Sequence, residues 1–373
     1  MKFTIERADL LRSLNHVHSV VERRNTIPIL ANVLLRAEKE QLSLTTTDMD
    51  LEIVESVAAK TSVPGTTTVP AHTFYDIVRK LGDAASIEIS SAVGDTTLQI
   101  KSGRSTFRLG CLSTEDFPKM GSSEKFSYSF SIPAADLRML IDRTRFAISN
   151  EETRYYLNGI YLHAAENDVM PVLRAVATDG HRLARFEMPL PEGAKDMPGV
   201  IIPRKAINEI RKLIDEAADA IEIGLSDNKM KFSFDHITLT TKLIDGTFPD
   251  YDRVIPKNND KVLEVNPAIF ASAVDRVSTI SVEKSRAIKL MLGGKTMTLS
   301  ASSPDSGSAS EEIEIHFNAS PMEIGFNSAY LMDVAKQING ENCRMLLLDS
   351  ASPTIIRDVG DTSSLYVLMP MRV

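Results

Sequence analysis

Apolar residues recur along this chain in two rhythms, one of period two and one near 3.6, and the order of the rhythms repeats. After a short strand in MKFTIER, Leu10, Leu14, Val17 and Val21 fall at helical spacing. Period-two, β-rich runs follow at 29–36, 41–47 and 51–58. Phe74, Ile77, Val78 and Leu81 predict a second helix, followed by strands in SIEIS, TLQIKSG and STFRLGCLS and a close on Phe117-Pro118. The polar GSSEK at 121–125 reads as a linker, and the order restarts. YSFSIP is a strand, Leu137, Leu140 and Ile141 mark a helix, and strands surround the stretch 177–189. Ile207, Ile210 and Ile214 mark the next helix, and further strands lead to Phe248-Pro249. In the third pass Asn266 is a good N-cap and Pro267 suits the first helical position. Phe270, Ala273, Val274 and Val277 line that helix, and Leu331, Val334, Ala335 and Ile338 line the last one, with Gly340 as its stop. The chain ends YVLMPMRV, with Met369-Pro370 where the other passes have Phe-Pro.

One unit of about 125 residues thus occurs three times. The expectation is an α+β protein of three similar domains, 1–125, 126–258 and 259–373, each with two amphipathic helices and antiparallel sheets. Each copy is long enough to bury a core, which sets it apart from a solenoid repeat.

Charge complicates the picture. A net charge of −8 argues on its face against nucleic acid, whose binding rests on Lys and Arg meeting phosphates. Net charge does not report distribution, however. Counting Asp, Glu, Lys and Arg, the predicted helices at 7–21, 71–81, 135–147 and 204–216 are each +1, and those at 267–281 and 328–339 are neutral. Charge alone does not separate a DNA-facing surface from an ordinary solvated face. No apolar run is long enough to span a bilayer, and the start lacks an apolar signal-like core, so a cytoplasmic protein is expected.

Candidate chemistry concentrates at ATDGHRLARFEMP, 177–189, where Asp179-Gly180 is a strong turn dipeptide. Three readings stand: an acid–base pair of Asp179 and His181, a tight turn with a satisfied histidine, or a surface socket of Leu183 beside Arg182 closed by a distant segment. Elsewhere GGKT at 293–296 has Lys289 where a phosphate loop needs glycine, and the following residues read as strand. His16 and His18 are two apart and point to different helix faces. Asp48, Asp50 and Glu52 alternate along a strand and lack the glycine of a calcium loop. Cys111 and Cys343 fit no metal-ligand spacing. No catalytic site, metal site or cofactor is expected.

The blocks MKFTIER, TIPILANVLL (26–35), SGRSTFRL (102–109), RYYLNGIYL (154–162), ATDGHRLA (177–184), KLIDGTFPDY (242–251), MEIGFNSAYLMDV (322–334) and YVLMPMRV resemble the β subunit of bacterial DNA polymerase III, the β sliding clamp family. The likeness runs over the whole chain. It implies the DNA clamp fold and a head-to-tail homodimer closed into a ring, helices inside and sheets outside, around double-stranded DNA without sequence specificity. It implies a non-catalytic processivity factor that binds the DNA polymerase III α subunit, the clamp loader, other polymerases and repair proteins through short linear motifs. The positive helices, with Arg79, Lys80, Arg138, Arg204 and Lys205, would face DNA, joined by Arg24, Tyr155 and Tyr156. The ring seam would set Arg104, Phe107 and Leu109 against Thr279 and Ile280 of the second copy. The partner cleft would gather Leu157, Thr178, Gly180, His181, Arg182, Leu183, Pro249, Arg253, Val254, Val367, Met369, Pro370, Met371 and Arg372, which makes the socket reading the preferred one. Departures from the family pattern are DSGSASEE after Pro304, Thr106 for a basic residue, Asp252 for an arginine and Pro353 for a serine. A monomeric three-domain adaptor that binds peptides without encircling DNA is the alternative.

Overall fold

The computed structural model describes residues 1–373 apart from 24–25, 84, 92–95, 119, 121–124, 218 and 282–285. All but the last residue of the 121–125 linker therefore lies outside the described residues.

Among the described residues there are six α-helices: Arg7–Val17, Ala71–Lys80, Ala134–Asp142, Arg204–Leu213, Pro267–Ser278 and Ser328–Ala335. They fall two per repeat, and five bury most of the stripe read from spacing, as Leu10, Leu14 and Val17 or Phe270, Ala273, Val274 and Val277 show, while Ala71–Lys80 buries Phe74 and Val78 and leaves Ile77 half-buried. All six stop short of the predicted ends at 21, 81, 147, 216, 281 and 339. In three of the predicted ranges a 3-10 turn follows, at His18–Val20, Arg145–Ala147 and Ile214–Glu216. Over one turn, periods of 3.0 and 3.6 select the same residues, so apolar spacing continues where the hydrogen bonding changes. The run at 29–36 is corrected in the same way. Pro28 opens a 3-10 turn, Pro28–Ala31, and the strand is Asn32–Glu38. Asp48 and Asp50 are not on a strand: they form the turn before Leu51–Ala58, where Asp48 Oδ1 accepts the N–H groups of Asp50 and Leu51 at 2.9 and 2.7 Å.

Gly340 does not end the last helix, which stops at Ala335. Its role is close approach: a Cβ there would run into the Asp358 carboxylate. That carboxylate accepts the backbone N–H groups of Asn339, Gly340 and Gly360 at 3.1, 2.8 and 2.9 Å. Burial, with Asp358 nearby, pushes the Cys343 thiol up to about 12.

The described strands form antiparallel ladders in four sheets. An eight-stranded sheet joins strands of the first and second repeats through Leu51–Ala58 and Ile237–Lys242, with Ile53 opposite Leu239. A nine-stranded sheet joins the second and third repeats through Arg182–Pro189 and Ser364–Leu368, with Leu183 opposite Val367. The outer sheets are a five-stranded one ending at Ser105–Gly110 and a four-stranded one ending at Gly307–Glu314. Because the ladders cross repeat borders, three repeats give two compact units. One holds Met1–Arg138, Pro191–Ala194 and Lys205–Leu243, and the other Met139–Leu190, Lys195–Arg204 and Ile244–Val373. In the first, the fully buried Glu55 pins the Arg7–Val17 helix to its sheet, taking Ser13 Oγ at 2.7 Å and His16 Nδ1 at 2.9 Å.

Replacing Asp358 by alanine strands three backbone N–H groups at the border of the nine-stranded sheet. Denaturant titration should show a loss of about 3 kcal/mol, and an unchanged midpoint would refute the capping role.

Candidate functional site

The Asp179-Gly180 turn links Pro171–Thr178 to Arg182–Pro189, and Gly180 takes the left-handed φ of 88°. Asp179 Oδ1 accepts the N–H groups of His181 and Arg182 at 2.9 and 3.0 Å, and its Oδ2 accepts Arg182 Nε–H at 3.0 Å. The side-chain partner of Asp179 is Arg182, so the acid–base pairing with His181 fails on geometry. The His181 ring is exposed and lies beside Tyr330, 6.4 Å between centroids.

Arg182 is a strut. Its Nη1 donates to Asp333 Oδ2 and its Nη2 to the Phe146 carbonyl, both at 2.6 Å, and the guanidinium lies 4.3 Å from the centre of the Tyr330 ring. Each guanidinium nitrogen has an internal partner. Arg182 ties the turn to the Ser328–Ala335 helix.

Beside the strut, Leu157, Leu183 and Val367 enter one buried cluster with Val176, Ile201, Phe248, Tyr251, Ile355 and Leu365. Around this floor stand exposed side chains: Val254 at 51%, Met369 at 42%, and Arg253, which reaches Asp250 at 2.8 Å. Pro249, Gly180, His181 and Arg372 are exposed as well, while Thr178, Pro370 and Met371 are half-buried. The carboxy-terminal tail is held by two backbone bonds, Met369 N–H to the His181 carbonyl at 2.8 Å and Met371 N–H to the Gly325 carbonyl at 2.9 Å. The expected cleft residues therefore belong to one compact unit, an apolar floor with a methionine-bearing tail laid along one side. Phe248, Tyr251 and Ile355 were missed as floor residues. Phe248 had a signal, as the repeat-closing Phe-Pro, but Ile355 reaches the floor only through strand pairing.

The cations expected to face DNA are less free than the helix charges imply. Arg138 pairs with Asp215 at 2.7 Å, and Lys205 with Asp48 and Glu22. Arg204 donates to Asn150 Oδ1, and burial holds its guanidinium below the usual value. Arg143, counted on a positive helix face, is buried. Arg79 pairs with Asp76 at 3.0 Å and Lys80 is exposed. Tyr155 is 52% exposed and stands edge-on to Tyr156, and Arg24 lies outside the described residues.

At the expected seam, Phe107 and Leu109 are half-buried on the edge strand Ser105–Gly110, alternating with exposed Thr106, Arg108 and Gly110. Arg104 and Thr279 are exposed, and Ile280 is half-buried just beyond the Pro267–Ser278 helix. Among the described residues no group of His, Cys, Asp and Glu side chains could hold a metal, and no helix is long and apolar enough to cross a membrane.

Three sequence models, described as the N-terminal, central and C-terminal domains of the DNA polymerase III beta subunit, match residues 1–121, 131–250 and 252–372. The beta sliding clamp of Caulobacter vibrioides is 52% identical and that of Escherichia coli 38% identical, each over the full length of both chains. A crystal structure of the sliding clamp from Bartonella birtlesii, bound to griselimycin, superposes with a TM-score of 0.96 at 49% identity, covering all of both chains. The chain belongs to the DNA polymerase III beta subunit family, the sliding clamps. It is thus a non-catalytic processivity factor of DNA replication, which removes the enzyme reading.

A strut and an exposed ring differ in what their loss does. Arg182→Ala should lower stability by about 1–2 kcal/mol, since three half-buried partners lose charge-assisted bonds, whereas His181→Ala should stay within about 0.5 kcal/mol of the parent. Thermal melts of the two variants decide this, and equal midpoints would count against the strut.

Proposed function

We propose that the chain works as a head-to-tail homodimer, closed into a ring around double-stranded DNA, with domains 1–125, 126–258 and 259–373 in each copy. One observation carries this reading. Leu51–Ala58 of the first repeat pairs with Ile237–Lys242 of the second, and Arg182–Pro189 of the second pairs with Ser364–Leu368 of the third. By the same rule Gly307–Glu314 of the third repeat should pair with a counterpart of Ile237–Lys242 and Ser364–Leu368, and among the described residues none pairs with it. Ser105–Gly110 of the first repeat is equally unpaired on one side among the described residues. Both are sheet edges, and a second copy of the chain can fill both. Their charges suit each other: Arg104 and Arg108 lie at one edge, Glu311, Glu312 and Glu314 along the other. A heterologous contact that closes gives a ring rather than a filament. A monomeric adaptor would instead leave two strand edges open to aggregation.

In this reading Arg24, Arg79, Lys80, Arg138, Tyr155, Tyr156, Arg204 and Lys205 meet the phosphate backbone. Internally paired cations make such contacts weak and carry no sequence information, as sliding requires. The floor of Leu157, Leu183 and Val367, with Thr178, Gly180, His181, Pro249, Arg253, Val254, Met369, Pro370, Met371 and Arg372 around it, receives linear motifs of the DNA polymerase III α subunit, the clamp loader, other polymerases and repair proteins. Methionine's flexible thioether lets one wall adapt to several guests. Extended peptides carrying a Gln and a Leu- or Phe-rich end should bind with about −8 kcal/mol, the micromolar range. A cytoplasmic location follows from work on chromosomal DNA with bacterial partners.

Seam energetics provide the test. Burying Phe107 is worth roughly 1.5–3 kcal/mol, whereas an exposed ion pair contributes about 0–1 kcal/mol. Phe107→Ala should raise the monomer fraction in sedimentation, and shorten retention on circular DNA, more than Arg104→Ala does. Loaded protein should leave once the circle is cut. Equal retention on circles and on cut DNA with free ends would overturn the ring.

A further inference from the structure

Beside the apolar cluster, on the same face of the sheet, lies a polar knot. Tyr251 Oη accepts Arg174 Nη1–H at 2.9 Å and lies 2.9 Å from His163 Nε2. Arg174 Nε donates to Glu187 Oε1 at 2.8 Å, Arg185 Nε lies 3.3 Å from the same oxygen, and Asn167 Nδ2 donates to Glu187 Oε2 at 3.3 Å. Strand pairing sets this up, since His163 faces Arg174 in one ladder and Arg174 faces Glu187 in the next.

Counting protons fixes the tautomer of the neutral ring. A guanidinium can only donate, so the Tyr251 hydroxyl accepts from it. The Ala164 carbonyl, 3.0 Å away, can only accept, so His163 Nδ1 carries a proton. In the neutral ring Nε2 is then bare and receives the Tyr251 hydroxyl proton. Burial, and then the Arg174 cation, hold His163 below the usual imidazole value, against the opposing pull of the Ala164 carbonyl bond and, after it, of Asp252 and Glu187. Tyr161 stacks on the ring at 4.7 Å.

The knot grips the segment that forms one lip of the cleft. Tyr251 opens the 3-10 turn Tyr251–Arg253, and its carbonyl accepts the Val254 N–H at 3.1 Å. Three residues earlier, Phe248 stacks on Tyr161 at 4.8 Å with the rings 6° from parallel. Pro249, Arg253 and Val254 ride exposed on these two buried aromatic anchors.

We propose that His163, Arg174 and Tyr251 are positioning residues of the peptide cleft, holding residues 248–254 in their guest-receiving shape, and that protonation of His163 releases that lip. This rests on the peptide-cleft reading above. A lip already in place spares the guest the ordering that binding otherwise requires. Protonated Nε2 would aim an N–H at a hydroxyl already facing Arg174, and would set a second cation beside it. The sign follows: below about pH 6.5 the unfolded chain takes up the proton first, so the knot's contribution to stability fades as pH falls. In the folded protein binding weakens once His163 itself is protonated, which lies lower still.

The test is fluorescence anisotropy with the full-length protein and a labelled short peptide carrying Gln and a Leu-Phe end, from about pH 8 to about pH 5. Tyr251→Phe should weaken binding on the order of tenfold at neutral pH. Wild-type affinity should fall in the acid range, and His163→Gln, which accepts a hydrogen bond and does not titrate, should flatten that fall. Exposed His181 is present in both proteins, so the difference between their profiles isolates His163. Met371→Ala serves as the cleft control and should weaken binding at every pH. If it does, while Tyr251→Phe binds as wild type or His163→Gln keeps the wild-type profile, the positioning proposal is overturned and the cleft stands. If Met371→Ala binds as wild type, the cleft reading itself falls.

Discussion

The ladder between Arg182–Pro189 and Ser364–Leu368 is the constraint on which the proposed peptide cleft depends. It brings Leu183 opposite Val367 and Arg182 opposite Leu368, and so fixes which side chains meet on the floor. Side chains alternate across a strand, so a slip of one residue would turn Leu183 and Val367 to opposite faces and open the apolar floor. The Arg182 strut works against that slip. It fastens the start of one strand to Asp333 on a helix and to the carbonyl of Phe146, neither of which would follow a shifted register.

Electrostatics in this chain is spent mainly on internal order. The buried Glu55, the Asp358 carboxylate and the Arg174–Glu187 pair each satisfy several donors or acceptors, and their burial would be unfavourable if any stood alone. Arg138, Arg204 and Lys205, read from sequence as positive faces, prove to have protein partners. The acidic balance of the chain and a DNA-encircling role are compatible on these terms, because a ring holds its DNA by closure and needs only loose contact with phosphate.

Much of the architecture was legible because it rests on local rules. Helical spacing placed all six helices, and Asp-Gly placed the turn at Asp179. Helix ends were not legible, since Val21 and Ile214 keep the apolar spacing beyond the last α-helical residues, Val17 and Leu213. The role of Arg182 was not legible either, for Phe146 and Asp333 are 36 and 151 residues away and only folding brings them to it. The cleft residues came from family likeness, residue by residue. Tyr251, Arg174 and His163 carry no local pattern that sets them apart from other strand residues. Their meeting is a product of register.

The division of the middle repeat between two compact units has a consequence for synthesis on the ribosome. The strand Leu51–Ala58 finds its outer partner only when Ile237–Lys242 has been made. At ordinary elongation rates the intervening chain takes on the order of ten seconds or more. During that interval the first repeat presents an unpaired strand edge to every neighbouring nascent chain. Glu52 and Glu55 sit on that strand, and charged residues are what discourages an edge from pairing with the wrong chain. Glu55 can meet Ser13 and His16, which belong to the same repeat, long before that edge is covered, so the guarding falls to half-buried Glu52.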